Sequence, residues 1–320
     1  MALYLAERSI ELKALVIINP NAGNGELIKN TSWIIKRFND RGIETDVMLT
    51  SKRGDATEYI KKYAEGRKLV ICAGGDGTLN EAVNGVMSFE AKKRPDIGYI
   101  PCGTTNDFAK SLKIPLDINN AVNSIIGGKP VPYDIGSINN RYFTYVAAGG
   151  AFSSCSYATS QDMKRILGHT AYVLEGIKEI PAIKAHHMKF EFDSGNTLEG
   201  DYAFVAVSNS KSYGGIINLD KLGVDTADGL FEMTLVKLPK NILEVGKIAI
   251  SLSSGDYDKS VIDFVRFSSC RMTVEPNELN WTIDGEKGDL SGTVDIKNDH
   301  NAVRFVVKEM KYDIPTDIPD

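Results

Sequence analysis

The chain has 320 residues, of which 42% are apolar and 25% charged, and it carries a formal net charge of -5. That length suffices for two domains that each bury a core, and the composition is that of an ordinary globular chain. The negative charge argues against broad electrostatic attraction to nucleic acid or an anionic bilayer; no apolar run reaches the roughly 18 residues of a membrane span.

Residues 1–13 bring Glu7, Arg8 and Glu11 too early for a secretory signal, so a cytosolic protein is expected. After them, residues 14–18, 46–49, 69–73 and 97–100 read as short β-rich strands. Helical patterns lie at residues 26–38, 56–64 and about 118–126; Asp55 is the expected N-cap of the second and Asp117 of the third, which Gly127-Gly128 ends. Alternation of this kind predicts an α/β fold with a doubly wound parallel sheet. Open sheets of that type bind ligands at the C-terminal ends of their strands. Three polar, glycine-containing loops fall there, at residues 19–25, 74–78 and 101–107.

The loop Gly74-Gly75-Asp76-Gly77-Thr78 has three glycines in five residues, leading into a helical pattern. Backbone N–H groups free of side chains can approach a polyanion closely, and the following helix adds its positive end. The loop reads as a phosphate cradle, with a Thr78 hydroxyl as a further donor. Asp76 repels phosphate, so its use is to hold a divalent cation or orient a neighbour. Neither a GxxxxGK[ST] loop nor a GxGxxG fingerprint in strand-to-helix context is present.

After Lys129-Pro130-Val131-Pro132 the pattern changes to strands joined by turns, and a domain boundary is expected there. Strands are predicted at residues 134–138, 142–147, 187–192, 203–207, 230–238, 271–275, 279–284, 293–297 and 303–307, a mostly antiparallel, sandwich-like half. Within it, residues 163–180 carry an apolar stripe at helical spacing, interrupted by Gly168. Such a stripe covers the adjacent sheet or borders an apolar cleft. Lys164, Arg165, Lys178, Lys184 and Lys189 could form a basic patch, although a solvated face is the plainer reading. Four dispersed cysteines without a CxxC pair and four histidines without metal spacing argue against a disulfide framework or a zinc site.

Two acidic turns stand out in this half. In residues 279–284 the apolar Leu279, Trp281 and Ile283 alternate with Asn280, Thr282 and Asp284, so Asp284 points away from the apolar face. Asp284-Gly285-Glu286 then brings two carboxylates together, one able to deprotonate a hydroxyl while the other orients or polarises it; an ordinary Asp-Gly turn reads equally well. Asp225, Asp228 and the turn carbonyls between them and Leu230 offer oxygen ligands suited to Mg2+, but taken alone a solvated turn is the better reading.

These segments together resemble the soluble bacterial diacylglycerol kinase family, a lipid-kinase group that includes sphingosine and ceramide kinases. The likeness runs through Ile18-Asn19-Pro20, Gly54-Asp55-Ala56, residues 74–81 and 101–108, Asp134-Ile135-Gly136, residues 143–150, Asp228-Gly229 and Asp284-Gly285-Glu286. The resemblance implies an ATP-binding domain over residues 1–128, a β-rich lipid-substrate domain over 129–303 and a tail, 304–320, returning to the first domain. By the same resemblance ATP contacts Asn19, Thr50, Gly74, Gly75, Asp76, Gly77, Thr78 and Thr104, while Asp107 links nucleotide and catalytic loops. Glu286 is then the proton acceptor for the lipid hydroxyl, and Asp284 polarises it and helps organise Mg2+. A separate structural Mg2+ is implied at the Asp228 side chain and the carbonyls of Asp225 and Leu230.

The expected activity is ATP-dependent phosphorylation of diacylglycerol or a related lipid alcohol, through transient contact with the bilayer and without nucleic acid; a homodimer is compatible with it. Two rivals share features with this chain. Kinases of soluble acceptors, such as NAD kinases and phosphofructokinases, resemble it at Gly-Gly-Asp-Gly, and a non-catalytic lipid-binding protein could keep the fold. Asp76, Asp284 and Glu286 together disfavour the latter.

Overall fold

Strand β1 (Leu12–Ile18) has no polar side in its last five positions, Ala14 through Ile18, all of which are fully buried. A strand apolar on both faces belongs inside a covered parallel sheet. In this computed structural model, which describes residues 12–150, 184–214, 217–276, 279–288, 290 and 292–308, β1 lies between β2 (Ile43–Leu49) and β3 (Leu69–Gly74). Both neighbours run parallel to it, and β4 (Asp96–Pro101) continues the parallel order beyond β3. The helical pattern at residues 163–180, with Lys164, Arg165 and Lys178, lies outside the described residues, as do Cys155, His169 and most of the C-terminal tail.

Helices α1 (Glu26–Asn39), α2 (Asp55–Tyr63), α3 (Asp76–Met87), the short α4 (Asp107–Ser111) and α5 (Ile118–Ile126) join or follow these strands. Leu27, Ile34 and Phe38 of α1 share one core with Ala121 and Val122 of α5 and with Ala14, Val16 and Ile18 of the sheet. Ile60 of α2 and Val83 and Val86 of α3 cover the other face, against Leu15, Ile17 and Val70. Each large aliphatic side chain buried in this way contributes about 1.5–3 kcal/mol, enough to fix the helices on both faces in the doubly wound arrangement.

The second half is antiparallel. Strands β5 (Lys129–Ile138), β6 (Arg141–Phe143), β7 (Val146–Gly150), β8 (His186–Phe192) and β9 (Thr197–Ser208) are followed by the short pair β10 (Ser212–Tyr213) and β11 (Ile217–Asn218). Then come β12 (Phe231–Lys237), helix α6 (Ile242–Ser254), β13 (Ile262–Phe267), β14 (Ser269–Glu275), β15 (Trp281–Ile283), β16 (Glu286–Gly288) and β17 (Val294–Val307). Alternate residues of β8 (Met188, Phe190), β12 (Phe231, Met233, Leu235) and β14 (Met272, Val274) meet Trp281 and Ile283 in one shared core. The halves are joined by sheet: β17 pairs antiparallel with β14 and β5, and its Phe305 pairs parallel with Ile97 of β4. Arg304 adds an ion pair to Asp96 at 2.6 Å. Among the described residues no helix is long and apolar enough to cross a membrane.

Several local readings change. Residues 129–132 are the start of β5: Pro130 and Pro132 pair with Val306 and Arg304, and no second strand pairs with this stretch among the described residues, so proline's missing N–H does no harm there. Asp55 is the first residue of α2 and not its N-cap. Its carboxylate turns back to accept from the N–H groups of Ser51 and Lys52 at 2.7 and 2.9 Å, and those bonds hold its pKa below the usual carboxylate value. The strand predicted at 142–147 breaks at Thr144 and Tyr145, whose N–H groups leave the ladder for a carboxylate. The two strands predicted at 293–297 and 303–307 are one, β17, with a register shift between Asp299 and Val303. There His300 and Asn301 turn to the buried Asp134, at 3.1 and 2.6 Å.

Candidate active site

The C-terminal ends of β1, β3 and β4 are stitched together by backbone bonds. Asn19 N–H donates to Ala73 O at 2.9 Å and Cys102 N–H to Gly74 O at 2.7 Å. The loops that leave these strands wall a cleft of about 740 Å³, also lined by the loop after β2 and by Glu286 from the second half. Asn19, Thr50, Gly75, Gly77, Thr78 and Thr104 all line it. The Asn19 amide donates to Thr78 Oγ1 at 3.2 Å, so the first two loops brace each other.

Close backbone approach explains the glycines. A Cβ on Gly103 would sit 2.8 Å from the Gly75 Cα, so two bare backbones touch where the second and third loops meet. In the first loop Gly23, Asn24 and Gly25 take successive left-handed conformations, with φ of 61, 52 and 79°, and Gly23 rests against the Cys102 sulfur. This turn delivers the chain into α1 with Gly25 as N-cap, and no side chain caps either α1 or α3, whose N-cap is Gly75. Helix α2 is different. The Glu81 carboxylate takes its first N–H groups, Gly54 at 2.7 Å and Ala56 at 3.2 Å. The N-terminus of α3 thus offers amides to an anion at the cleft, while that of α2 is closed by an internal carboxylate. Lys52 and Arg53, both lining the cleft, add positive charge.

The acids lie in two groups. Asp76 Oδ2 accepts from Asp107 N–H and from the Thr105 hydroxyl, both at 3.2 Å, while its Oδ1 is buried without a partner. Burial, and then the neighbouring Asp107 charge, push the Asp76 carboxyl up to about 6. Burial also raises Asp107, which accepts from Gly214 N–H at 3.3 Å and thereby ties α4 to the loop after β10. Asp284 and Gly285, with φ of 47 and 81°, make the tight two-residue turn between β15 and β16 that an Asp-Gly pair favours. That turn sends the two flanking acids to different places.

Asp284 is 2% exposed, and its oxygens accept from the N–H groups of Thr144 (2.6 Å), Tyr145 (3.0 Å) and Val146 (3.1 Å) and from the Asn80 amide (2.7 Å). Burial raises its pKa and these four donors pull it back down. The Asp284 carboxylate therefore lies inside the protein rather than in the cleft. Glu286 faces the cleft: a Cβ on Gly77 would fall 2.7 Å from its Oε1, and Arg53 Nη2 lies 2.5 Å from its Oε2. The separated stretches around Gly74 and Asp284 thus converge, with Glu286 against the first turn of α3.

Asp225, Asp228 and Leu230 stand apart from the cleft lining. One oxygen of Asp225 accepts from Ala227 N–H at 3.1 Å and one of Asp228 from Leu230 N–H at 2.9 Å, two local turns. The turn is docked on Asp134, which accepts from Gly229 N–H at 2.7 Å. No cluster of three or more His, Cys, Asp or Glu suited to a metal ion occurs among the described residues. The Asp76 Oδ1 differs, since a buried carboxylate oxygen without a donor fits a cation shared with phosphate oxygens.

Sequence reasoning assigned no role to Asn80, Glu81, Lys52 or Arg53. Asn80 and Glu81 directly follow the glycine loop, and helical spacing puts them on different sides of α3, one toward Asp284 and one toward α2. Lys52-Arg53 is a basic pair in a loop at a strand's C-terminal end, a signal that was readable.

The chain is similar over most of its length to known proteins. A family model described as the diacylglycerol kinase catalytic domain matches residues 13–138. The chain is 34% identical over 284 residues to a diacylglycerol kinase of Bacillus subtilis (strain 168), covering 87% of this chain and 91% of that protein. It is 36% identical over 281 residues to a diacylglycerol kinase of Staphylococcus aureus (strain MRSA252), covering 86% of each. A crystal structure of a diacylglycerol kinase from Bacillus anthracis str. Sterne is similar with a TM-score of 0.73 at 25% identity, over 94% of this chain and 98% of that one.

Proposed function

The chain belongs to the diacylglycerol kinase family and is a kinase, and on that premise we propose that it transfers the γ-phosphoryl group of ATP to the hydroxyl of diacylglycerol or a closely related lipid alcohol, giving phosphatidic acid. The observation that carries this reading is the seat of Glu286. A carboxylate from the second half of the chain rests against Gly77, at the helix end where backbone amides are free to hold phosphate. Proton acceptor and phosphate site then flank one point, where an alcohol oxygen can meet the γ-phosphorus.

In this mechanism the uncapped start of α3, with Asn19, Thr78 and Thr104, binds and orients the triphosphate. Glu286 takes the proton of the acceptor hydroxyl. Asp284 acts at one remove: through Asn80 and three backbone amides it locks the β15–β16 hairpin onto α3, which fixes where Glu286 stands. Mg2+ would be held by the free Asp76 oxygen together with phosphate oxygens, and when bound it neutralises phosphate charge.

A bilayer-resident acceptor entails transient contact with a membrane surface. Four of the eight large exposed apolar side chains among the described residues, Leu238, Ile242, Leu243 and Ile250, lie on or just before α6, with the exposed Lys240 among them, and they support such contact. The test is a competition among lipid alcohols in mixed micelles with ATP and Mg2+, read by product mass. Phosphatidic acid should dominate from diacylglycerol. Preferential phosphorylation of NAD or a sugar phosphate would overturn the reading.

A further inference from the structure

We propose that Arg53 is a catalytic residue of this kinase, whose guanidinium holds Glu286 with one nitrogen and presents its remaining N–H donors to the oxygens of the transferring phosphoryl group. The inference rests on the function proposed above and deepens it.

The geometry begins with the backbone. Asp55 pins the N–H groups of Ser51 and Lys52 at 2.7 and 2.9 Å, and Glu81 pins that of Gly54 at 2.7 Å. The chain is thus fixed on both sides of Arg53, whose side chain is left 66% exposed and lines the cleft. Arg53 Nη2 reaches Glu286 Oε2 at 2.5 Å, and among the described residues no other ion pair engages this guanidinium. A guanidinium carries five donors in a planar fork, so contact with one carboxylate oxygen leaves others for phosphate. Arg141 is placed differently. It approaches Glu286 only to 3.9 Å, is anchored on the Lys287 carbonyl at 3.0 Å, and does not line the cleft.

The chemistry needs such a cation. The proton acceptor and the triphosphate are both anionic, yet both must lie within reach of one alcohol oxygen, and like charges at that range repel. A guanidinium between them removes the repulsion and neutralises charge on the phosphoryl oxygens in the transition state. The alcohol oxygen forms a new bond to the γ-phosphorus, and the bond from that phosphorus to the β,γ-bridging oxygen breaks with its electron pair leaving on ADP. The alcohol proton passes to Glu286. Arg53 gains and loses no proton.

Steady-state kinetics of Arg53→Ala and Arg53→Lys in mixed micelles test the proposal, with and without added guanidinium ion. Arg53→Ala should lower kcat about 10²–10³-fold while KM for the lipid stays within about threefold of wild type. Guanidinium ion should restore at least about tenfold of the lost kcat in Arg53→Ala and leave wild type unchanged, and Arg53→Lys should fall between the two. A kcat for Arg53→Ala within about threefold of wild type, a loss confined to KM for ATP, or a loss that guanidinium ion fails to reverse overturns the proposal. Wild-type protein that phosphorylates no lipid alcohol refutes the underlying function instead, so the two failures are told apart.

Discussion

The Asn80 amide and the Asp284 carboxylate meet at 2.7 Å across 204 positions of sequence. This bond joins the helix that starts at the glycine loop to the hairpin that carries Glu286, so the cleft is assembled by a contact buried behind it. Tyr142 O accepts from the same Asn80 amide at 3.2 Å, and Asn84 donates to the Asn80 side-chain oxygen at 3.1 Å, which fixes the amide in place.

Asp284→Ala therefore removes the acceptor of four buried donors, three of them backbone N–H groups. Stranding buried donors in this way should destabilise the protein by about 3–5 kcal/mol. Urea denaturation should show the midpoint fall for Asp284→Ala and stay put for Glu286→Gln. Equal midpoints for all three proteins would remove Asp284 from its positioning role.

Gly77→Ala separates chemistry from folding. The position is helical, where alanine is tolerated or preferred, but the new methyl would arrive 2.7 Å from Glu286 Oε1. Stability should be unchanged or higher while kcat falls about 10–100-fold through displacement of the carboxylate. An unchanged kcat would mean that Glu286 has no fixed seat at that helix end.

The raised pKa of Asp76, about 6 against an ordinary 3.8, has a definite sign in stability. On acidification the native state takes up this proton before the unfolded chain does, so the charged carboxylate weakens the fold above pH 6, by no more than about 3 kcal/mol. That penalty fades as the pH falls through 6 toward 4. Asp76→Asn should thus be more stable than wild type near pH 7.5, and the difference should shrink near pH 4.5. Urea midpoints at the two pH values check it; a gap that widens in acid contradicts the assignment.

The parallel half of the fold was legible because its signals are local. The buried runs of β1 and β3 and the Asp117 cap, which accepts from Asn120 N–H at 2.8 Å, need no partner elsewhere to be recognised. Helix α6 was missed because its isoleucines and valine are β-branched and Gly246 interrupts it. Its start was nonetheless written in Asn241, whose side chain accepts from Glu244 N–H at 3.0 Å. In the site, the glycine loop and the Asp-Gly-Glu turn could be read as chemistry. Which acid faces the cleft could not, since that depends on Thr144 and Tyr145 giving up strand pairing and, with the N–H of Val146, reaching Asp284.

The proton acceptor is the centre of the account, and Glu286→Gln tests it most directly when nucleotide binding and turnover are measured on the same sample. The side chain keeps its size, and the phosphate-facing amides of α3 are untouched. ATP affinity should stay within about threefold of wild type, while kcat with diacylglycerol falls about 10²–10⁴-fold. Turnover at the wild-type rate, with binding intact, would contradict the claim that Glu286 takes the proton of the acceptor hydroxyl.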